Sequence, residues 1–269
     1  MIISSLYGGH LVSDSDSYVY WFFFSHNMIL FLPMIMIIRR QKFSDKLLIA
    51  LGISLLVDDA FIFEQIATGV VTPITFLNDS PLQNLILYVI LLPTFLVLTF
   101  NESNSRKKIF FGVTFLVSLT AFLLLYAQIT IKDFEGLVAE FLQPQQMIWA
   151  ASFEMVKNNP IMGVGLGNFN AELYKILPAA QSWKVHHAFN TYLQFWAETG
   201  IFGLILFCGI FGKILIWARR RCGNVYGKIL FFSTLSLMLY AFTDFIFESY
   251  SAMRAYWFLV GVCIASLQR

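Results

Sequence analysis

Seven apolar runs, most of them close to the thickness of a lipid bilayer, constrain this chain more than any other feature. They are Tyr18–Ile38, Leu47 to about Ile66, Leu82–Phe100, Ile109–Gln128, Gly200–Trp217, Ile229–Thr243 and Ala255–Leu267, the last two short. A hydrocarbon core of roughly 30 Å is crossed by about 20 residues of helix, because every backbone polar group must be satisfied within the segment. The pattern predicts an all-α polytopic membrane protein with about seven transmembrane helices. Composition agrees: 58% of the 269 residues are hydrophobic, 13% are charged and the mean hydropathy is +0.70, too apolar for a soluble domain of this size. Residues 1–269 are read as a single membrane domain.

Orientation follows from Lys and Arg, which accumulate in cytoplasmic connections. Arg39, Arg40, Lys42 and Lys46 fill one connection, Arg106, Lys107 and Lys108 another, and Lys213, Arg219, Arg220, Arg221 and Lys228 lie in or beside a third. These connections alternate along the chain. With Arg269 they place thirteen of the eighteen basic residues on one side, leaving Lys132, Lys157, Lys175, Lys184 and Arg254 for the other. The long loop, 129–189, is therefore expected to be exofacial, and the carboxy terminus cytoplasmic. A net charge of +2 is then a topology signal, and a basic surface divided among membrane connections argues against nucleic acid as a partner. Cys208, Cys222 and Cys263 lie in or beside spans, which gives neither a disulfide framework nor metal-ligand spacing. The first apolar run follows Asp14 and Asp16 instead of a basic segment, so no cleavable signal is expected. The polar opening MIISSLYGGHLVSDSDS reads as the remnant of a longer parent.

The long loop carries the chemistry. From Gln145 to Asn158 the residues Ile148, Ala151 and Met155, with Met147 and Phe153 on an adjacent row, predict a helix with one apolar side, stopped at Asn158-Asn159-Pro160. It fits an interfacial helix anchored by Trp149, or equally a helix packed on the spans. Gly163, Gly165 and Gly167 in GVGLGNF lack the preceding strand and the spacing of a nucleotide loop. They fit a tight turn, or a cradle of exposed amides for a phosphate. Asn170 is expected to cap a short helix through Ile176, ended by Pro178. Asn190 is expected to open the helix that carries Glu198, with Gly200, Gly203, Gly209 and Gly212 allowing close helix contact. An ionisable residue at the bilayer edge is a functional candidate, although a salt bridge or a water-facing position explains Glu198 as well.

Four ordered pieces then matter together: WAASFEMVKNNP from Trp149, GVGLGNF from Gly163, HAFNTYLQ from His187 and ETGIFG from Glu198. In this order they resemble the O-antigen ligase and O-antigen polymerase family of bacterial membrane proteins, of which the chain looks like a short member. The resemblance implies glycosyl transfer at the exofacial side of the inner membrane, without metal or other cofactor. A glycan on an undecaprenyl diphosphate carrier would pass to an acceptor sugar hydroxyl, on lipid A core or a growing chain, with a histidine as base. The chemistry is reasonable: a sugar diphosphate is already activated, so the enzyme needs a base near ambient pH and cations for the departing diphosphate.

Two departures stand out. The family's histidine directly before the asparagine is Phe189 here, with Asn190 and the Gly200 and Gly203 spacing intact, and the family's arginine before the tryptophan is replaced by Gln145 or Gln146. His187 and His186 are the remaining candidate bases. Lys157, Lys175, Lys184 and Arg254 are the candidate replacements for the lost cation, each also readable as a solvated or headgroup-facing charge. Asn190, Glu198, Trp149 and Gly165 complete the candidate substrate-binding set. Asp58, Asp59, Glu64, Asp244 and Glu248 sit in or near spans and are expected to line an outward vestibule. A non-catalytic homologue that binds lipid-linked glycan or a partner of the polysaccharide machinery remains the alternative. A transporter subunit is a third reading.

Overall fold

With no water in a bilayer to satisfy the backbone, the apolar runs close on themselves as helix. The computed structural model describes residues 44–68, 81–140, 142–178, 187–247 and 249–268. The expected first span, Tyr18–Ile38, lies outside them, as do Lys184 and His186. Among the described residues there are eight helices: α1 (Ser44–Ala67), α2 (Pro81–Asn101), α3 (Ser105–Glu140), α4 (Leu142–Asn158), α5 (Phe169–Ile176), α6 (Thr191–Arg219), α7 (Val225–Tyr240) and α8 (Tyr250–Leu267).

Three stretches among the described residues are long and apolar enough to cross a membrane: Ser105–Ala127 of α3, α6 and α8. Leu85–Asn101 and Val225–Tyr240 are shorter apolar helices. α1, expected as a span, carries Asp58, Asp59 and Glu64 and does not join that group among the described residues. α3 continues to Glu140, past the expected end at Gln128, because no proline interrupts it. Pro144 falls in the first turn of α4, where a missing N–H leaves no intrahelical bond unmade.

The described residues fall into two compact units. One comprises 44–132, Lys213–Met238 and the residues after Phe247; the other comprises Asp133–Gly212 and Leu239–Phe247. In the first, α8 packs against α2 and α1 and buries most of its length, from Ala252 through Tyr256 and Val260 to Ala265. Polar side chains tie these helices where the apolar ones cannot discriminate partners. Fully buried Asp59 of α1 accepts the Tyr88 hydroxyl of α2 at 2.5 Å and the Ser118 hydroxyl of α3 at 2.6 Å. Thr94 pairs with Ser233 of α7 at 2.9 Å, and Thr234 with Tyr256 of α8 at 3.0 Å.

At one end of this unit the helix starts and stops converge. Asp45 accepts Lys107 Nζ at 2.5 Å and the Tyr226 hydroxyl at 2.8 Å, while Ser44 meets Ser266 at 2.7 Å. The ammonium of Lys107 holds the Asp45 carboxyl below the usual carboxylate range. Lys46, Arg106, Lys108 and Lys228 lie next along the chain to these contacts, so the basic connections gather together as their alternation along the sequence requires.

Asp59→Leu strips the acceptor from two buried hydroxyls and should cost about 2 kcal/mol, read as a lowered unfolding temperature in detergent. Asp45→Asn, whose ion pair is solvated, should cost less than about 1 kcal/mol in the same assay.

Candidate functional site

In the second unit α4 follows the last turns of α3. Its residues Ile148, Ala151, Met155 and Val156 are buried with Phe169 and Leu173 of α5, Ala188, and Leu193 and Ala197 of α6. The expected apolar side of α4 thus faces this unit's own core, while Met147 and Phe153 are exposed. The helix stops at Asn158, as its Asn-Asn-Pro sequence predicts.

Beyond Pro160 the chain turns through Gly163, Gly165 and Gly167, with φ of 70°, 101° and 80°. This is left-handed backbone that glycine adopts without cost. The turn docks on α6 where that helix is broken: Gly200 has φ 69° and ψ −173°. In an unbroken helix the carbonyls of Ala197 and Glu198 would accept the amides of Ile201 and Phe202. Here they accept Val164 N at 2.8 Å and Gly165 N at 2.9 Å, while Ile201 N turns to the Pro160 carbonyl at 3.0 Å. The contact is close enough to require two glycines. A Cβ at Gly163 would lie 2.4 Å from the Glu198 carbonyl, and one at Gly200 would lie 2.0 Å from the Ile161 oxygen.

The Glu198 side chain is drawn into the same turn. Only 7% exposed, it accepts Gln194 Nε2 at 2.9 Å and the backbone amides of Gly167 and Phe169. The glycine-loop amides that the sequence offered to a phosphate are therefore taken by the chain's own carboxylate and carbonyls. Gln194 spends its carbonyl oxygen on the Ala188 amide at 2.8 Å, and the indole of Trp149 donates to the Ala188 carbonyl at 2.7 Å.

That peptide lies between His187 and Phe189. His187 is buried, and its Nδ1 accepts the Phe189 amide at 3.2 Å and stands 3.9 Å from Asp244 Oδ1. Phe189 has φ 49°, the one positive value outside glycine among the described residues, and its ring meets the imidazole edge-on at 4.4 Å. Asp244 is brought in by Thr191: the Thr191 amide and hydroxyl both donate to the Asp244 carbonyl, the hydroxyl at 2.7 Å. The Asp244 carboxylate also accepts the Phe245 amide at 2.7 Å. Asn190 caps α6 through Leu193 N at 3.0 Å and reaches the Phe242 carbonyl at 3.2 Å.

His187, Asn190, Glu198, Gly165 and Trp149 are thus brought together in one unit. Lys175 is well exposed and pairs with Glu172 at 2.8 Å. Arg254 is exposed and belongs to the other unit, and His186 and Lys184 lie outside the described residues. Two expectations change. The residue before α5 is Asn168, not Asn170, and its side chain donates to the Val164 carbonyl instead of capping the helix. Gly209 and Gly212 face open space, and Gly203 makes room for the Thr199 side chain one turn earlier rather than for another helix. Gln194, Thr191 and the pairing of Asp244 with His187 were not assigned from sequence. Gln194 was within reach, since it lies one turn before Glu198 on the same face. The carboxylate partner of His187 carries no local signal.

A family model described as O-antigen ligase matches residues 66–208, a little over half of the chain. No curated protein matches it. The matched range holds the glycine turn, His187 and Glu198, and stops short of Asp244 and Arg254.

Gly200→Ala should strain the backbone and collide with the Ile161 carbonyl, releasing the turn. Limited proteolysis should cut faster between Pro160 and Leu177, whereas Gly209→Ala, which meets nothing, should leave the pattern unchanged.

Proposed function

Because the chain belongs to the O-antigen ligase family, we propose that it is a membrane glycosyltransferase of surface-polysaccharide assembly, moving a glycan from an undecaprenyl diphosphate carrier to a sugar hydroxyl of lipid A core or a growing chain. The family carries the glycan-transfer role and membrane embedding. The observation that carries the chemistry is the buried imidazole of His187 beside the Asp244 carboxylate, 3.9 Å from Nδ1. With the basic connections cytoplasmic, the connection between α3 and α6 is exofacial and the carboxy terminus cytoplasmic.

In this reading the acceptor hydroxyl attacks the anomeric carbon, a C–O bond forms, and the bond to the carrier diphosphate breaks with its electron pair leaving on the phosphate. His187 takes the hydroxyl proton. Because Nδ1 accepts the Phe189 amide, the neutral ring carries its proton on Nε2, and the lone pair that would take a proton is the one engaged with that amide. Proton uptake there exchanges that amide for the Asp244 carboxylate, 3.9 Å away. Lys175 and Lys184 supply positive charge for the diphosphate, and His186 a second imidazole. Asn190 and Trp149 hold the walls of the site.

Phe189 supports the second reading, a non-catalytic homologue that binds lipid-linked glycan. Its ring lies against the imidazole, and its place is the one where the resembling family has histidine. The left-handed backbone at 189 suits histidine better than phenylalanine, so Phe189→His is expected to fold.

In a strain lacking the ligase or polymerase, His187→Ala should lose about 10²-fold or more of glycan transfer, and Asp244→Asn roughly tenfold, scored as polymer-bearing lipopolysaccharide on gels. Activity that arises only in Phe189→His assigns the natural chain to the binding reading.

A further inference from the structure

We infer that Glu198 is a positioning residue for His187, acting through Gln194 and the Ala188 peptide, with the glycine turn as its clamp. This rests on His187 being the proton acceptor, and it gives Glu198 work inside the protein instead of on the substrate.

The Glu198 carboxylate accepts from Gln194 Nε2 at 2.9 Å and from the amides of Gly167 and Phe169. A carboxylate, which only accepts, satisfies all three. Its presence fixes the sense of Gln194, which is 3% exposed. The amide nitrogen of Gln194 is committed to position 198, so its oxygen is the atom left for Ala188 N at 2.8 Å. Reversed, the nitrogen would face the Ala188 N–H, donor against donor in a buried site, a costly arrangement. The Ala188 carbonyl is held from the other side by Trp149 at 2.7 Å.

The peptide is thus pinned on both edges, and its neighbours are the imidazole and a phenylalanine in left-handed backbone. Such a conformation persists only where the surroundings over-determine it. The Phe189 amide that this conformation aims at Nδ1 is the last link. The chain of contacts runs from the turn to Glu198, Gln194, Ala188 and the imidazole.

The decisive comparison is Glu198→Gln against the exchange Gln194→Glu with Glu198→Gln. The single variant puts an amide nitrogen among three donors. The exchange restores complementarity: the carboxylate at 194 accepts Ala188 N and the new amide nitrogen, and the new carbonyl oxygen at 198 accepts the turn amides. In the full chain in lipid nanodiscs, Glu198→Gln should shift the His187 imidazole 15N resonances, assigned with His187→Ala, and lower kcat roughly ten- to a hundredfold with little change in KM for the lipid-linked donor. The exchange should return both towards the original. Unmoved 15N resonances in Glu198→Gln overturn the inference, as does an exchange that unfolds normally yet fails to restore them. If the unaltered chain transfers no glycan, the transfer reading falls, and the imidazole resonances still decide the relay alone.

Discussion

A helix that stops bonding to itself for one turn leaves carbonyls and an amide to be satisfied elsewhere, and the glycine turn takes them here. Val164 and Gly165 donate to the carbonyls of Ala197 and Glu198, and Pro160 accepts from Ile201. Buried backbone groups without partners are expensive, so break and turn are mutually dependent: neither is stable where it lies without the other. The Glu198 side chain, the Gln194 amide and the histidine segment are then hung from that junction. This explains why glycine spaced at 163, 165 and 167 goes with glycine at 200 in one chain.

Buried and half-buried carboxylates are used in four different ways. Asp45 faces an ammonium and a phenol in partial solvent, where the pair contributes little. Asp59 faces two hydroxyls and joins three helices. Glu198 faces amides and fixes a turn. Asp244 alone stands beside an imidazole. Only in the last case is the partner the group proposed above to take the hydroxyl proton, and the other three serve architecture.

Much of the scaffold was legible. Apolar runs at bilayer length mark α2, α3 and α6, a shorter one marks α8, Pro160 marks the end of α4, and Asn190 marks the start of α6. What escaped was whatever depended on a partner distant in sequence. The three glycines read as a turn, but the groups that fill it exist only because α6 breaks at Gly200, and nothing local tells a kink-forming glycine from those at 209 and 212, which meet nothing. Glu198 read as a functional candidate or a salt-bridged or water-facing acid because two of its donors are the backbone amides of Gly167 and Phe169, which no sequence displays. Asn168 and Asn170 are both plausible caps, and packing of Phe169 into the core chose between them. The site residues shared with the resembling family were legible as motifs; their hydrogen-bonded sense was not.

The break in α6 also divides the helix by exposure. Residues 191–199 bury Thr191, Gln194, Glu198 and Thr199, while Phe202, Ile205, Leu206, Ile210 and Ile216 beyond the break are exposed. From Ile201 to Arg219, at about 1.5 Å per residue, the rod is about 28 Å long, close to the hydrocarbon depth. Gly200 thus separates a half that is built into the glycine turn from a rod of membrane-spanning length, so a substitution that straightened the helix there would disturb the first half and leave the exposed face of the second as it is.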